Sequence, residues 1–297
     1  MRRVFVTGAG GFIGHHVARH FATLGEKVFA LYRGPTPPAL ATIPNITAIS
    51  GDLRDPSCFP ANYDVLVHAA AVIPARVTTE NELATVNAAA TEALFAHAKD
   101  AGASRIVFCS SMSVYGKITV PVVTMDTPAQ DPDEYGRSKQ AGERALRQLI
   151  AVTPTIAGLS LRLPGVIGPG SHHNFLSDVG TKIFAGAAVK ARNSSSLFNN
   201  VVYVDDLTRF ISQWTNADVG CYRAATIAAH SPLTISTILA ELCRAAGRPF
   251  DISFNDSANG SFIIDLKAAE DLGFQPASTL DSIRAFAADL AARSGTC

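Results

Sequence analysis

Residues 1–16 read MRRVFVTGAGGFIGHH, and the order of residue types in this stretch decides the fold. Val4, Phe5 and Val6 form a short run of apolar β-formers, which reads as a buried strand. From Phe12 onward the apolar residues Phe12, Ile13, Val17, Ala18, Phe21 and Leu24 recur at helical spacing. Between strand and helix lie Gly8 and Gly11, and Gly14 follows at the same spacing within the first helical turns. Glycine has a separate use at each position. Gly8 permits a tight turn, Gly11 lets backbone approach a pyrophosphate, and Gly14 lets the helix pack closely on the strand, with helix-terminal N–H groups facing the anion. A strand before and a helix after are the context that dinucleotide binding demands.

The 297 residues, 47% of them hydrophobic, suffice for an α/β domain with a smaller lobe. A formal net charge of +0 gives no long-range field to gather nucleic acid or an anionic membrane surface, so neither is an expected partner. The strand at Val4 leaves no room for a signal peptide, and no apolar run approaches the roughly 20 residues of a membrane span. A cytoplasmic protein is expected. The cysteines Cys58, Cys109, Cys221, Cys243 and Cys297 are widely spaced with no CxxC pair, so reduced thiols and no metal site are expected.

Strand-like and helix-like stretches alternate: Val4–Thr7, Phe12–Leu24, Val28–Tyr32, Ile46–Ser50, Val65–His68, Glu82–Ala101, Arg105–Ser110, Pro132–Ile150 and Thr155–Leu163. This is the βαβ pattern of a Rossmann-type doubly wound parallel sheet covered on both faces. Asp55 before Pro56 and Asp131 before Pro132 read as helix N-caps followed by proline at the first helical position. The Gly/Pro-rich PGVIGPGSHHNF and the polar Ala191–Asn200 then suggest a less regular lobe. The chain returns with a strand at Val201–Val204, a helix at Asp206–Trp214 and a strand at Gly220–Ala225, and ends in helices at Thr234–Ala246 and Leu280–Ala292. Residues 1–166 with 200–227 are expected to form the dinucleotide-binding domain, and 167–199 with 228–297 a smaller C-terminal substrate-binding lobe.

In EYGRSKQAGE, Tyr135 and Lys139 stand four apart on a predicted helix and share one face. A tyrosine of ordinary pKa, about 10, is a poor acid or base at neutral pH. A neighbouring ammonium and the positive ring of an oxidised nicotinamide favour the phenolate and bring it toward the working range. Upstream, FCSSMSVYG ends a strand at the carboxyl edge where open α/β sheets bind ligands, so Ser111 could polarise a substrate carbonyl together with Tyr135.

These motifs together resemble the extended short-chain dehydrogenase/reductase family, which contains sugar-nucleotide epimerases, dehydratases and ketoreductases. TGAGGFIG is similar to its glycine loop, GDLRD to its adenine-contacting segment, HAAA to its fourth-strand motif, SSMSVYG to its serine strand and YGRSK to its active-site helix. LRLPGVIGPG, VVYVDDL and LGFQP resemble its later segments. The resemblance implies a catalytic set of Ser111, Tyr135 and Lys139. It implies cofactor contacts at Gly8, Gly11, Phe12, Ile13, Gly14, Arg33, Asp52, Leu53, Ala69, Ala70, Tyr135, Lys139 and Pro164, and substrate contacts at Ser111, Met112 and Asn174. It also implies a homodimer built through helices such as Glu82–Ala101 and Pro132–Ile150.

Departures from the family pattern narrow the expectation. The second strand ends VFALYRG, with Tyr32 where NAD-preferring members carry an acid and Arg33 after it, so NADP is favoured over NAD. Met112 and Ser113 replace the acidic pair of the dehydratases, which disfavours dehydration. Asn199 and Asn200 stand where epimerases carry an arginine for the substrate diphosphate, and Gly165 replaces an asparagine. The expected substrate is a nucleotide-linked sugar, with a small non-nucleotide ketone or aldehyde as the second enzyme reading and a non-catalytic NAD(P)-sensing protein as the third. Asn87 reads as a support of the site or a satisfied polar residue between helices. His68 reads as a core histidine, Arg162 as structural, and Asp205 and Asp206 as the start of a helix. His172 and His173 diverge as neighbours and make no metal pair.

Overall fold

The structure is a computed structural model and describes residues 1–34, 40, 42–73, 82–218, 220–255 and 261–294. Seven strands make the central sheet: β1 (Arg3–Thr7), β2 (Lys27–Tyr32), β3 (Ile46–Ser50), β4 (Val65–His68), β5 (Arg105–Ser111), β6 (Ala157–Leu163) and β7 (Tyr222–Thr226). The principal helices are α1 (Phe12–Thr23), α2 (Ala90–Asp100), α3 (Glu134–Val152), α4 (Phe175–Phe184), α5 (Val204–Asn216), α6 (Ile235–Ala245) and α7 (Thr279–Ser294). The sheet is parallel and runs β7-β6-β5-β4-β1-β2-β3. Val6 of β1 pairs with Ala30 on one side and Val67 on the other, and His68 pairs with Phe108. The winding therefore changes direction between β1 and β4, and the carboxyl ends of these strands flank the crevice where doubly wound sheets bind ligands.

The chain divides into two compact units. The first comprises Met1–Lys117, Pro128–Arg162 and Thr208–Ala225. Its core includes Phe5, Tyr63, Leu66, Phe95, Phe108 and Leu146, all buried. Burial of each such side chain contributes about 1.5–3 kcal/mol. The second comprises Ile118–Thr127, Leu163–Leu207 and Thr226–Cys297. In it, α4, α6 and α7 enclose Ile183, Leu239, Leu242 and Phe286. Gly180 permits the approach of α4 to α7, since a Cβ there would lie 2.8 Å from Leu290 Cδ1.

Several local expectations are corrected. The helix expected over Glu82–Ala101 is interrupted by a π-helical turn at Thr85–Ala89 before α2. The wide turn carries Asn87, whose side chain accepts from Val72 N–H at 2.8 Å and donates to Val72 C=O at 2.8 Å. The cap expected at Asp131 is instead Asp133, which accepts from Gly136 N–H at 2.7 Å, because Asp131 sits at φ 44° in the left-handed region. Asp55 does cap, accepting from Ser57 N–H at 3.1 Å. The polar stretch 191–200 is not wholly loop. Val189–Arg192 pairs in parallel with Ile252–Asn255, and Leu197–Phe198 pairs antiparallel with Leu233–Thr234. Asp205 and Asp206 lie in the first turn of α5, and Asp206 also accepts from Ala277 N–H at 2.8 Å.

Candidate active site

The turn from β1 into α1 is closed by backbone alone. Gly8 lies at φ 72°, and a Cβ on it would meet Ala70 N at 2.7 Å. A Cβ on Gly14 would meet Gly8 O at 2.3 Å, so α1 rests directly on the turn. No side chain caps α1 at Gly11, and its first turn, with Phe12 and Ile13, carries no acid. An uncapped helix N-terminus approached only through glycine is a seat for a phosphate. The residues present therefore fit a dinucleotide.

Beside this turn lies a groove of about 230 Å³. It brings together Gly8, Gly11, Arg33, Asp52, Leu53, Ala69 and Ala70. Phe12, Ile13, Gly14 and Pro164 do not line it, and Pro164 belongs to the second unit. Tyr32 and the motif residues Gly10, Gly51 and Ala71 also line it, and so do Leu31, Val72 and Val86, which motif reading did not single out. Most continue a strand end already recognised, but Val86 comes from the π-helical turn, which leaves no periodic signal. Arg54 forks the Asp52 carboxylate at 2.8 and 2.8 Å. That guanidinium, with Arg33 acting in the same direction, holds Asp52 down to about 2.

The groove wall is braced from below. Thr7 Oγ1 lies 2.7 Å from His68 Nδ1 and accepts from Ala70 N–H at 3.3 Å, while His68 Nε2 lies 2.9 Å from Thr91 Oγ1. Burial, with the Lys139 ammonium assisting, pulls His68 down to about 3, so the imidazole is neutral. It is a core histidine with both ring nitrogens satisfied.

Ser111, Tyr135 and Lys139 meet at the tip of β5. Ser111 Oγ accepts from Ser113 N–H at 3.1 Å and donates to Ser113 Oγ at 3.1 Å, and its hydroxyl acts on the Tyr135 phenol in the direction that favours the phenolate. Lys139 Nζ donates to Cys109 C=O at 2.7 Å and lies 4.9 Å from the Phe108 ring centroid and 5.7 Å from that of Tyr135. Two glycines bring α3 this close: a Cβ on Gly136 would sit 2.1 Å from Ser113 O, and one on Gly142 2.5 Å from Phe108 Cζ. Burial pushes Tyr135 up to about 12 and draws Lys139 down to about 8. In the protein alone the phenol is thus raised, opposite to the direction expected from a neighbouring ammonium, because desolvation dominates and Cys109 and Asp133 act the same way. Met112 is buried. Asn174, in the second unit, caps α4 by accepting from Ser177 N–H at 3.0 Å and donates to Val166 C=O at 3.1 Å. Asn199 is a bolt of that unit: it accepts from Ile264 N–H at 2.8 Å and donates to Ile264 C=O at 2.9 Å and Ala229 C=O at 3.2 Å. Among the described residues no His, Cys, Asp or Glu cluster could hold a metal, and no helix is long and apolar enough to cross a membrane.

A doubly wound sheet, a glycine turn into an uncapped helix and a Tyr/Lys helix against a serine strand define a dinucleotide-binding α/β protein. The family model described as NAD dependent epimerase/dehydratase family matches residues 4–220, and the chain belongs to that family. It is 25% identical to dTDP-4-dehydro-6-deoxy-D-allose reductase of Streptomyces over 93% of this chain and 92% of that protein. It is 30% identical to D-erythronate dehydrogenase of Cupriavidus necator over 56% of each, so this match spans little more than half of that relative. Among solved structures, MoeE5 in complex with UDP-glucuronic acid and NAD superposes with TM-score 0.81 at 26% identity, covering 98% of this chain and 99% of that one.

Proposed function

We propose that the chain transfers hydride at a carbinol or carbonyl carbon of a nucleotide-linked sugar, by 4-keto reduction or epimerisation. The observation that carries this reading is the meeting of Ser111, Tyr135 and Lys139 at the β5 tip. A nicotinamide dinucleotide supplies the hydride donor or acceptor. Backbone at Gly8, Gly11, Phe12 and Ile13 would hold its pyrophosphate, with Gly14 keeping the helix against the turn. Asp52, Leu53, Ala69 and Ala70, which line the groove, would hold its adenosine half. Tyr135 moves the proton at the substrate oxygen, Ser111 polarises that oxygen, and Lys139 supplies positive charge and binds ribose. Met112 would contact substrate beside Ser111.

NADP is the favoured cofactor, because Arg33 lines the groove and Tyr32 leaves no carboxylate at the end of β2 to repel a 2′-phosphate. The NAD in MoeE5 speaks for the other choice. Dehydration is disfavoured, since Met112 and Ser113 offer no second acid or base beside Tyr135. The names of the similar reductase and of MoeE5's UDP-linked ligand support a nucleotide-linked sugar. A small non-nucleotide ketone or aldehyde is the second reading, favoured by the likeness to D-erythronate dehydrogenase and by Asn199, whose amide is engaged within its own unit.

The test is reduced-nicotinamide absorbance with NADPH and NADH in parallel, against nucleotide-linked 4-keto sugars and small carbonyl compounds. Stoichiometric oxidation with a sugar nucleotide supports reduction, and an isomerised sugar without net oxidation supports epimerisation. Turnover confined to small carbonyls would replace the sugar reading. Cofactor binding without turnover of any compound would favour a sensor.

A further inference from the structure

Glu143 and Arg162 take no part in the proton transfer above, yet they form a buried ion pair beside it. Glu143 lies one helical turn beyond Lys139 on the same face of α3 and is 5% exposed. Its Oε1 accepts from the Ser110 hydroxyl at 2.6 Å and from Arg162 Nε at 3.0 Å, and its Oε2 accepts from Arg162 Nη2 at 2.8 Å. Arg162 Nη1 donates to the Tyr115 hydroxyl at 2.9 Å. One carboxylate therefore ties α3 to β6 and to the tip of β5. Ser110 stands between Cys109, whose carbonyl receives the Lys139 ammonium, and Ser111.

Holding these elements together does not require charge, because well-packed apolar residues commonly do as well as a buried ion pair. What a carboxylate adds is a field. Lys139 is 3% exposed, so solvent does little to support its ammonium. The groups that bear on it are the Cys109 carbonyl and thiol and the Phe108 ring on β5, the Tyr135 ring, His68 on β4, and Glu143 with Arg162 paired to it. Tyr135 and Cys109 are held neutral, since burial pushes them up to about 12 and about 11, and His68 is a neutral imidazole. Arg162 forks the Glu143 carboxylate with two charge-assisted hydrogen bonds. Among the described residues Glu143 thus brings a negative charge, shared with Arg162, that offsets part of the desolvation of Lys139.

We propose that Glu143 is a positioning residue that supports the Lys139 ammonium electrostatically and pins the β5 tip, with Ser111, to α3. The functional weight of this inference rests on the reading of Lys139 as the cation of the site.

The experiment is a pH titration of the full chain labelled with ¹³C at lysine Cε, with the Lys139 resonance assigned by its absence in Lys139→Arg. No cofactor or substrate is added. In E143Q, which keeps the side-chain shape, the Lys139 midpoint should fall by about one unit or more, or about tenfold less ammonium at pH values above it. In S110A, which frees the strand but keeps the carboxylate, the midpoint should stay at its wild-type value. An unmoved midpoint in E143Q, or an equal fall in S110A, would overturn the proposal. If E143Q does not fold because Arg162 is orphaned, R162Q, which keeps the carboxylate and removes the opposing guanidinium, is titrated in its place, and a rise of the Lys139 midpoint is expected of it. An unmoved midpoint there overturns the proposal equally. Wild-type turnover by Lys139→Met would instead sink the catalytic reading of Lys139 and leave the titration result standing.

Discussion

In the proposed reaction Arg33 and Tyr135 carry cofactor choice and proton transfer, and each role makes a separate demand. Arg33 sits on the groove wall, where a guanidinium can take a ribose phosphate as a charge-assisted pair worth about 1.5–3 kcal/mol. Arg33→Asp should therefore weaken NADPH binding by about tenfold to a hundredfold and leave NADH binding nearly unchanged, as read by nicotinamide fluorescence titration. Equal losses for both would remove the basis for preferring NADP. Tyr135→Phe removes the proton carrier but keeps the ring that packs beside Lys139. Turnover should drop by about 10²–10⁴ with cofactor affinity retained, and near-normal turnover would move the proton step to another group. Tyr135 and Lys139 were legible in the sequence because a four-residue spacing fixes a shared helix face. The Glu143 network was not, because Ser110, Tyr115 and Arg162 reach it from other elements.

Among the elements, α3 and α1 show how glycine sets the geometry of the site. The Gly136 position leaves 2.1 Å to Ser113 O, a backbone atom of the segment that follows Ser111. Gly136→Ala must push α3 off the β5 tip, with an expected loss of about 1–3 kcal/mol in urea unfolding and most of the turnover. Full activity in that variant would mean that the contact between α3 and the tip is looser than the structure has it. Strand and helix positions at the front of the chain were readable because each covers a full period of its pattern. The π-helical turn at Thr85–Ala89 was not, since one wider turn barely disturbs helical spacing. The Asp131 and Asp133 positions show a second limit. Both residue types suit a cap, and only the left-handed backbone at Asp131 decides between them.

For the molecule as a whole, the alternation of strand and helix made the parallel sheet legible, whereas the second unit's paired strands of two to four residues are too short to show a period. The buried histidine under the groove gives the whole fold a pH dependence whose sign follows from its environment. His68 is held at about 3 in the folded chain, against about 6.5 when unfolded. Between these values the unfolded state binds a proton that the folded state refuses, so stability falls as pH drops through 6.5 toward 3. The slope is at most about 1.4 kcal/mol per pH unit for this one group. Asp52 and Glu241, held at about 2 by their arginine partners, act in the same direction only below the ordinary carboxylate range. His15 and His97 are also lowered by burial, so the total slope between about pH 4.5 and 6.5 belongs to several imidazoles. The share of His68 is isolated by comparison with His68→Gln, which keeps an amide between Thr7 and Thr91. Urea unfolding of the two proteins across that window should give a steeper fall for the wild type, by up to one proton's slope. Parallel curves would mean that His68 takes up its proton in the folded state, which the satisfied ring and the absence of any neighbouring acid among the described residues argue against.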